Sequence, residues 1–157
     1  MPIHLTTAQP SDAPTIARLL GDLLQGIMAA IGTRAFAFSL VETEARTRAW
    51  LEDGSYIVLL AWEGDVAVGF LALSECRALY AEGLIGIIPE LYVCPDRRSQ
   101  GVGRALVTEA KRVACSKGWT RLEVTTPPLP QFDRTLAFYT RQGFTVSGGR
   151  KMKVDVR

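Results

Sequence analysis

Apolar positions along this chain switch between two periods, and the switches mark out its elements. Ile16, Leu19, Leu20, Leu23, Leu24 and Ile27 recur at helical spacing behind Ser11, Asp12 and Pro14, which form a helix-start signal. A short first strand over Ile3 to Thr7 precedes them. Residues 29–38 are irregular, and Ser39 with Glu42 then forms a capping box that opens a second helix running to about Glu52. Tyr56 to Trp62 and Val66 to Cys76 are β-rich runs joined by Glu63-Gly64-Asp65, which predicts a hairpin. Ile85 to Val93 reads as one further strand. Pro89 lies inside it, and proline removes a ladder donor, so a bulge or local parting of strands is expected there.

The helical period returns with Val102, Ala105, Leu106, Ala110, Val113 and Ala114 on one face, and Gly118 supplies the stop. Trp119 to Thr125 predicts a strand and Asp133 to Gln142 a short helix ended by Gly143. Phe144 to Val146 and Lys151 to Val156 predict two closing strands around Ser147-Gly148-Gly149. The expected order is β-α-α-β-β-β-α-β-α-β-β, a single α/β domain over residues 1–157 with a mixed sheet.

Composition narrows the function classes. A chain of 157 residues with 48% hydrophobic residues suits one packed domain. A net charge of +2 gives no electrostatic case for a nucleic acid or a membrane surface as partner. No apolar stretch reaches the length of a membrane span, and Met1-Pro2-Ile3-His4 does not open a signal peptide. Cys76, Cys94 and Cys115 are far apart and form no CxxC pair, so neither a disulfide framework nor a metal site is expected, and a reducing cytoplasm fits.

The segment from Glu90 to Ala105 carries the chemistry. A β-rich run ends at Pro95-Asp96, and Arg98-Ser99-Gln100-Gly101-Val102-Gly103-Arg104 leads straight into a helix. A helix start presents unpaired N–H donors and the positive end of a dipole, and glycine lets a ligand approach the backbone. Arg97, Arg98 and Arg104 add positive charge, so the loop suits a phosphate-bearing ligand. A plain strand-to-helix turn with solvated arginines has the same appearance. A Walker loop is absent. A dinucleotide fingerprint is closer, with Gly101-x-Gly103 and Glu123 in the next strand, but Leu106 stands at the third glycine position and the preceding strands form a meander.

With these motifs together, the chain resembles the Gcn5-related N-acetyltransferase (GNAT) superfamily. Arg98-Ser99-Gln100-Gly101-Val102-Gly103 is similar to its Arg/Gln-x-x-Gly-x-Gly/Ala acetyl-CoA loop, and Glu90-Leu91-Tyr92-Val93 to the strand ahead of it. Ala137-Phe138-Tyr139-Thr140-Arg141-Gln142-Gly143-Phe144 is similar to its Phe-Tyr-x-x-x-Gly-Phe signature. Phe132 and Thr135 depart from the Asn and Ala that members often carry on this helix.

The resemblance implies a mixed sheet with splayed central parallel strands and acetyl transfer from acetyl-CoA, as co-substrate without a metal, to an amine in a ternary complex. It implies that Leu91, Tyr92, Val93 and residues Arg98 to Arg104 (Arg98, Ser99, Gln100, Gly101, Val102, Gly103 and Arg104) hold the coenzyme, with the N–H of Tyr92 or Val93 facing the oxyanion. It also implies that Tyr139 is the general acid; a phenol with pKa of about 10 keeps its proton at neutral pH. A primary amine, with pKa of about 10.4, arrives charged and needs a base. Glu90, on the strand face of Tyr92 and Cys94, and Glu123, on the adjacent strand, are both candidates. Each could equally be an ion-pair partner of a nearby arginine, and Tyr139 a packing aromatic.

The acceptor is expected at residues 29–40 and 77–84, where Phe36, Phe38 and Tyr80 suggest a partly apolar pocket with few carboxylates, against a polycationic acceptor. A small amine, an amino acid and a peptide amine all fit. Many members of the superfamily pair as homodimers, and the sequence leaves this open. The rival reading is a non-catalytic acyl-CoA-binding or regulatory domain that keeps the phosphate loop and lacks the proton chemistry.

Overall fold

A computed structural model describes residues 2–156. Strand β1 (Ile3–Thr7) leads into helix α1 (Ala13–Ile31), which ends on Gly32 in the left-handed region, φ 69°. Helix α2 (Leu40–Asp53) starts where the Ser39 hydroxyl accepts the Glu42 N–H at 3.3 Å. Strands β2 (Ile57–Glu63) and β3 (Val66–Ala78) form the expected hairpin, and β4 (Gly83–Ile88) and β5 (Leu91–Val93) follow. Helix α3 (Val102–Lys117), strand β6 (Leu122–Val124) and helix α4 (Asp133–Arg141) complete the order.

The sheet runs β1-β2-β3-β4-β6, with β5 also on β3; all pairs are antiparallel except β4 with β6. Alternation along β2 sends Val58 and Leu60 to the α1 face, with Ile16, Leu19 and Phe70, while Leu59 and Ala61 go to the α3 face, with Leu106, Val107 and Ala110. The domain is thus a sheet between two helical layers, as an α/β reading requires. No helix among the described residues is long and apolar enough to cross a membrane.

Three sequence expectations are corrected. The run 85–93 is not one strand but two, parted at Pro89-Glu90. The closing strands at 144–146 and 151–156 do not form among the described residues. Phe144 packs against the core, but Val146, Met152, Val154 and Val156 are 83–91% exposed. Period-two alternation in Lys151 to Val156 supplies the pattern of a strand, but a strand also needs a neighbour to complete its ladder. The predicted strand 119–125 shortens to Leu122–Val124, because Trp119 instead caps the core: it is buried over Gly86 and donates its indole N–H to Glu75 at 2.8 Å.

Candidate active site

The site begins with the parting at Pro89. Ser74 pairs with Ile87 in β4, and Leu71 pairs with Leu91 in β5, so the β4–β5 side holds one residue more than β3 opposite it. The inserted residue reverses the alternation. Leu84 and Ile88 face α3 before it, and Leu91 and Val93 face α3 after it. Pro89 has no N–H to offer the ladder, which is why the bulge falls here. β6 follows β4 only as far as Ile88 opposite Val124, and β5 continues along β3. Between the diverging β5 and β6 opens a cleft of about 940 Å³, floored by Ile88 to Val93 and walled by Val124, Thr125 and α4.

The bulge also sets which backbone groups face the cleft. Ala72 N–H bonds the Glu90 carbonyl, and Cys94 N–H bonds the Val68 carbonyl, both toward β3. Antiparallel ladders alternate, so Tyr92 turns its N–H and C=O to β3 and Leu91 and Val93 turn theirs away, into the cleft. Of the two expected oxyanion donors, Val93 is therefore available and Tyr92 is committed to the sheet. Tyr92 lines the cleft instead by its side chain, under the Arg98 guanidinium 5.7 Å from the ring centre.

The loop from Arg98 to Arg104 enters α3 through two left-handed residues, Ser99 at φ 63° and Gly101 at φ 86°. No side chain caps the helix, and its first intrahelical bond is Ala105 N–H to the Gly101 carbonyl at 3.0 Å. The N–H groups of Val102, Gly103 and Arg104 thus find no partner among the described residues. Arg98, Ser99, Gly101, Gly103 and Arg104 line the cleft. Gln100 turns back to the Asp96 carbonyl at 3.2 Å, and the Val102 side chain is buried in the core. These amides and the long cleft fit a diphosphate and its extended thioester arm.

The arginines divide their work. Arg97 is spent on a two-point ion pair with Glu63, at 2.7 and 2.9 Å, so it adds no charge to the loop. Arg98 donates to the Val93 carbonyl at 2.9 Å and so braces the loop against β5. Arg104, exposed in the first turn of α3, makes no ion pair among the described residues. Arg134 and Arg141 of α4 also line the cleft. The sequence reading passed over these two, although their spacing of seven on the helix that carries the Phe-Tyr signature placed them on one face.

The three candidate proton carriers separate clearly. Tyr139 lies on the cleft wall, 6% exposed, with edge contacts to Phe138 and Phe144 at 5.3 and 5.4 Å between ring centres. Burial pushes its phenol up to about 12. Its hydroxyl has no hydrogen-bond partner among the described residues, yet no side-chain oxygen there is both sealed and unpaired, so the hydroxyl opens toward the cleft. Glu90 also lines the cleft. Burial raises its carboxyl above the ordinary glutamate range, and a 2.8 Å hydrogen bond from the Tyr56 hydroxyl opposes that in part. Glu123 does not line the cleft; it accepts the Arg121 guanidinium at 2.7 and 2.8 Å, the ion-pair alternative foreseen for it.

Phe36, Phe38 and Tyr80 do not line the cleft either. Phe38 lies on α1 over Gly21, where an added Cβ would come within 2.9 Å of its ring, and Tyr80 stacks with Arg121. Leu23 and Ile27 of α1 supply the apolar residues on that side of the cleft. Their helical spacing marked them only as core, because a helix face that packs and one that lines a cleft carry the same signal.

A family model described as an acetyltransferase (GNAT) domain matches residues 54–146, more than half of the chain. The Bacillus subtilis (strain 168) protein named Uncharacterized N-acetyltransferase YhfO is 27% identical over 94% of this chain and 93% of its own length. Among solved structures, the integron cassette protein HFX_CASS3, from the mobile metagenome of Cole Harbour Salt Marsh, superposes with TM-score 0.80 at 25% identity, covering 98% of this chain and 90% of its own. An aminoglycoside acetyltransferase, HMB0005, from an uncultured soil metagenomic sample gives TM-score 0.78 at 20% identity over all of both chains, a likeness of fold. With the phosphate loop, the splayed strands and the Phe-Tyr helix, the matched segment leads to one assignment: this chain belongs to the GNAT acetyltransferase family.

Proposed function

We propose that the protein is an acetyl-CoA-dependent N-acetyltransferase that acetylates a primary amine by direct attack in a ternary complex. The observation that carries this reading is a single cleft on which helix-entry amides and a phenol without partners among the described residues converge with a half-buried carboxylate. Bound acetyl-CoA would supply an activated acyl group as a thioester. The amides of Val102, Gly103 and Arg104 would hold its diphosphate, with Arg104, Arg134 and Arg141 as further cations. The Val93 N–H would bond the carbonyl oxygen of the acyl group.

Glu90 is the base of this reading. Its burial makes it a stronger base than a solvated glutamate, and among the described residues it makes no ion pair. It takes the proton from the incoming ammonium, which frees the lone pair for attack. Tyr139 holds the proton destined for the departing sulfur. Burial makes it a weaker acid, but the same dry surroundings make a thiolate more basic, so donor and acceptor move together.

Charge on the cleft bears on the acceptor. Among the described residues Glu90 is the only carboxylate that lines it, whereas Arg98, Arg104, Arg134 and Arg141 all do. A polycation needs several carboxylates, so a monoamine or a peptide amine suits this site better, with Leu23 and Ile27 against its apolar part. The test is a panel of monoamines, amino acids, peptides, polyamines and aminoglycosides with acetyl-CoA, read by release of free thiol. Turnover restricted to monocationic amines is expected. Coenzyme binding by calorimetry with no turnover on any amine would make the protein an acyl-CoA-binding domain instead.

A further inference from the structure

We infer that Tyr56 is the positioning residue of the site: its hydroxyl holds one oxygen of Glu90 from behind, so that the other oxygen stays turned to the amine. The inference rests on the proposed role of Glu90 as base. Tyr56 stands between α2 and β2, its hydroxyl 2.8 Å from Glu90 Oε1. It does not line the cleft, whereas Glu90 does. Tyr56 therefore reaches the carboxylate from the protein side and acts on the reaction only through it.

The ring of Tyr56 is fixed independently of that bond. It packs against Trp50 of α2 with ring centres 5.2 Å apart, its N–H bonds the Trp50 carbonyl at 3.3 Å, and it borders the core beneath α1. A rigid donor of this kind selects one carboxylate rotamer, and the bulge at Pro89 aims Glu90 at it. Burial and the negative Glu90 both raise the Tyr56 phenol, so it remains a donor throughout the working pH range.

Other charged or titratable groups lie about the same carboxylate. Tyr92 and Cys94 share its face of the sheet, Asp22 of α1 acts on those two, and Tyr139, Arg98, Arg104, Arg134 and Arg141 line the same cleft. The Tyr56 hydrogen bond alone opposes the burial effect on Glu90.

The test compares wild type with Tyr56→Phe, which keeps the ring on Trp50 and removes only the donor. Carbon-13 NMR of glutamate-labelled protein without coenzyme follows the Glu90 carboxyl, assigned by its loss in Glu90→Gln. Its midpoint is expected to rise by about one pH unit in Tyr56→Phe. In turnover with an acceptor from the panel, the acid limb of kcat/KM should move up by the same amount. Above that limb, kcat should fall about tenfold while KM for acetyl-CoA holds.

An unchanged Glu90 midpoint overturns the inference. So does a shifted midpoint with an unmoved acid limb. If no amine is turned over, the acetyl-transfer reading fails by itself, and the NMR titration still decides whether Tyr56 governs the charge on Glu90.

Discussion

Tyr139 and Glu90 carry the sharpest expectations at the scale of single residues. Tyr139→Phe keeps both edge contacts to Phe138 and Phe144, so coenzyme affinity by calorimetry should hold, while kcat drops by about 10²–10⁴ if the hydroxyl supplies the proton. Glu90→Gln should lower kcat/KM by a similar order and abolish its acid limb. That limb in wild type should lie above the ordinary glutamate range, because burial raises the carboxyl, and activity falls as pH drops through it. Glu123→Gln, which only releases Arg121, should stay within a few-fold of wild type. Stability offers a separate check on Glu90. The folded state holds this proton to higher pH than the unfolded chain does, so stability is lost as pH rises from the unfolded to the folded midpoint. Gln carries no charge, and the melting temperature of Glu90→Gln relative to wild type should therefore increase with pH across that window. Tyr56 shows the limit of reading residues from sequence: it lies 34 positions before Glu90, and nothing in a one-dimensional pattern joins the two.

At the scale of elements, α1, α3 and the β2–β3 hairpin were legible because each buries a face with its own period. The α3 entry was legible for a different reason, since glycine marks its backbone requirement directly. Gly101 sits at φ 86°, and a Cβ there meets nothing within 4 Å, so the cost of Gly101→Ala is conformational. A loss of about 1–2 kcal/mol is expected in denaturant unfolding, with coenzyme affinity reduced as the helix-entry amides turn. The closing strands were misread because alternation is a property of the segment, whereas pairing is a property of its neighbour; Lys151 to Val156 has the first without the second. Pro89 was legible as an interruption, but the reversal of faces beyond it, which turns the N–H of Val93 and not that of Tyr92 into the cleft, follows only from the register on β3.

The whole molecule can be read as a sheet between two helical layers whose inner strands part where β5 and β6 diverge. A ligand bound only to the folded state at a concentration 100 times its Kd stabilises by about 2.7 kcal/mol. For a chain of this size that corresponds to a rise in Tm of roughly 5–10 °C. Acetyl-CoA and free CoA should both produce it in a thermal melt, since both join a diphosphate to an extended amide-bearing arm that suits the cleft, and NAD, which has a diphosphate but no such arm, should not. The parting has a further effect on motion. The N–H groups of Leu91 and Val93 are rungs with no upright beside them among the described residues, so at this fork the ladder is left for a guest to finish. An extended amide-bearing arm laid in that gap would act as a borrowed strand, and amide hydrogen exchange at Leu91 and Val93 should slow once it is seated while the rest of the sheet keeps its pace.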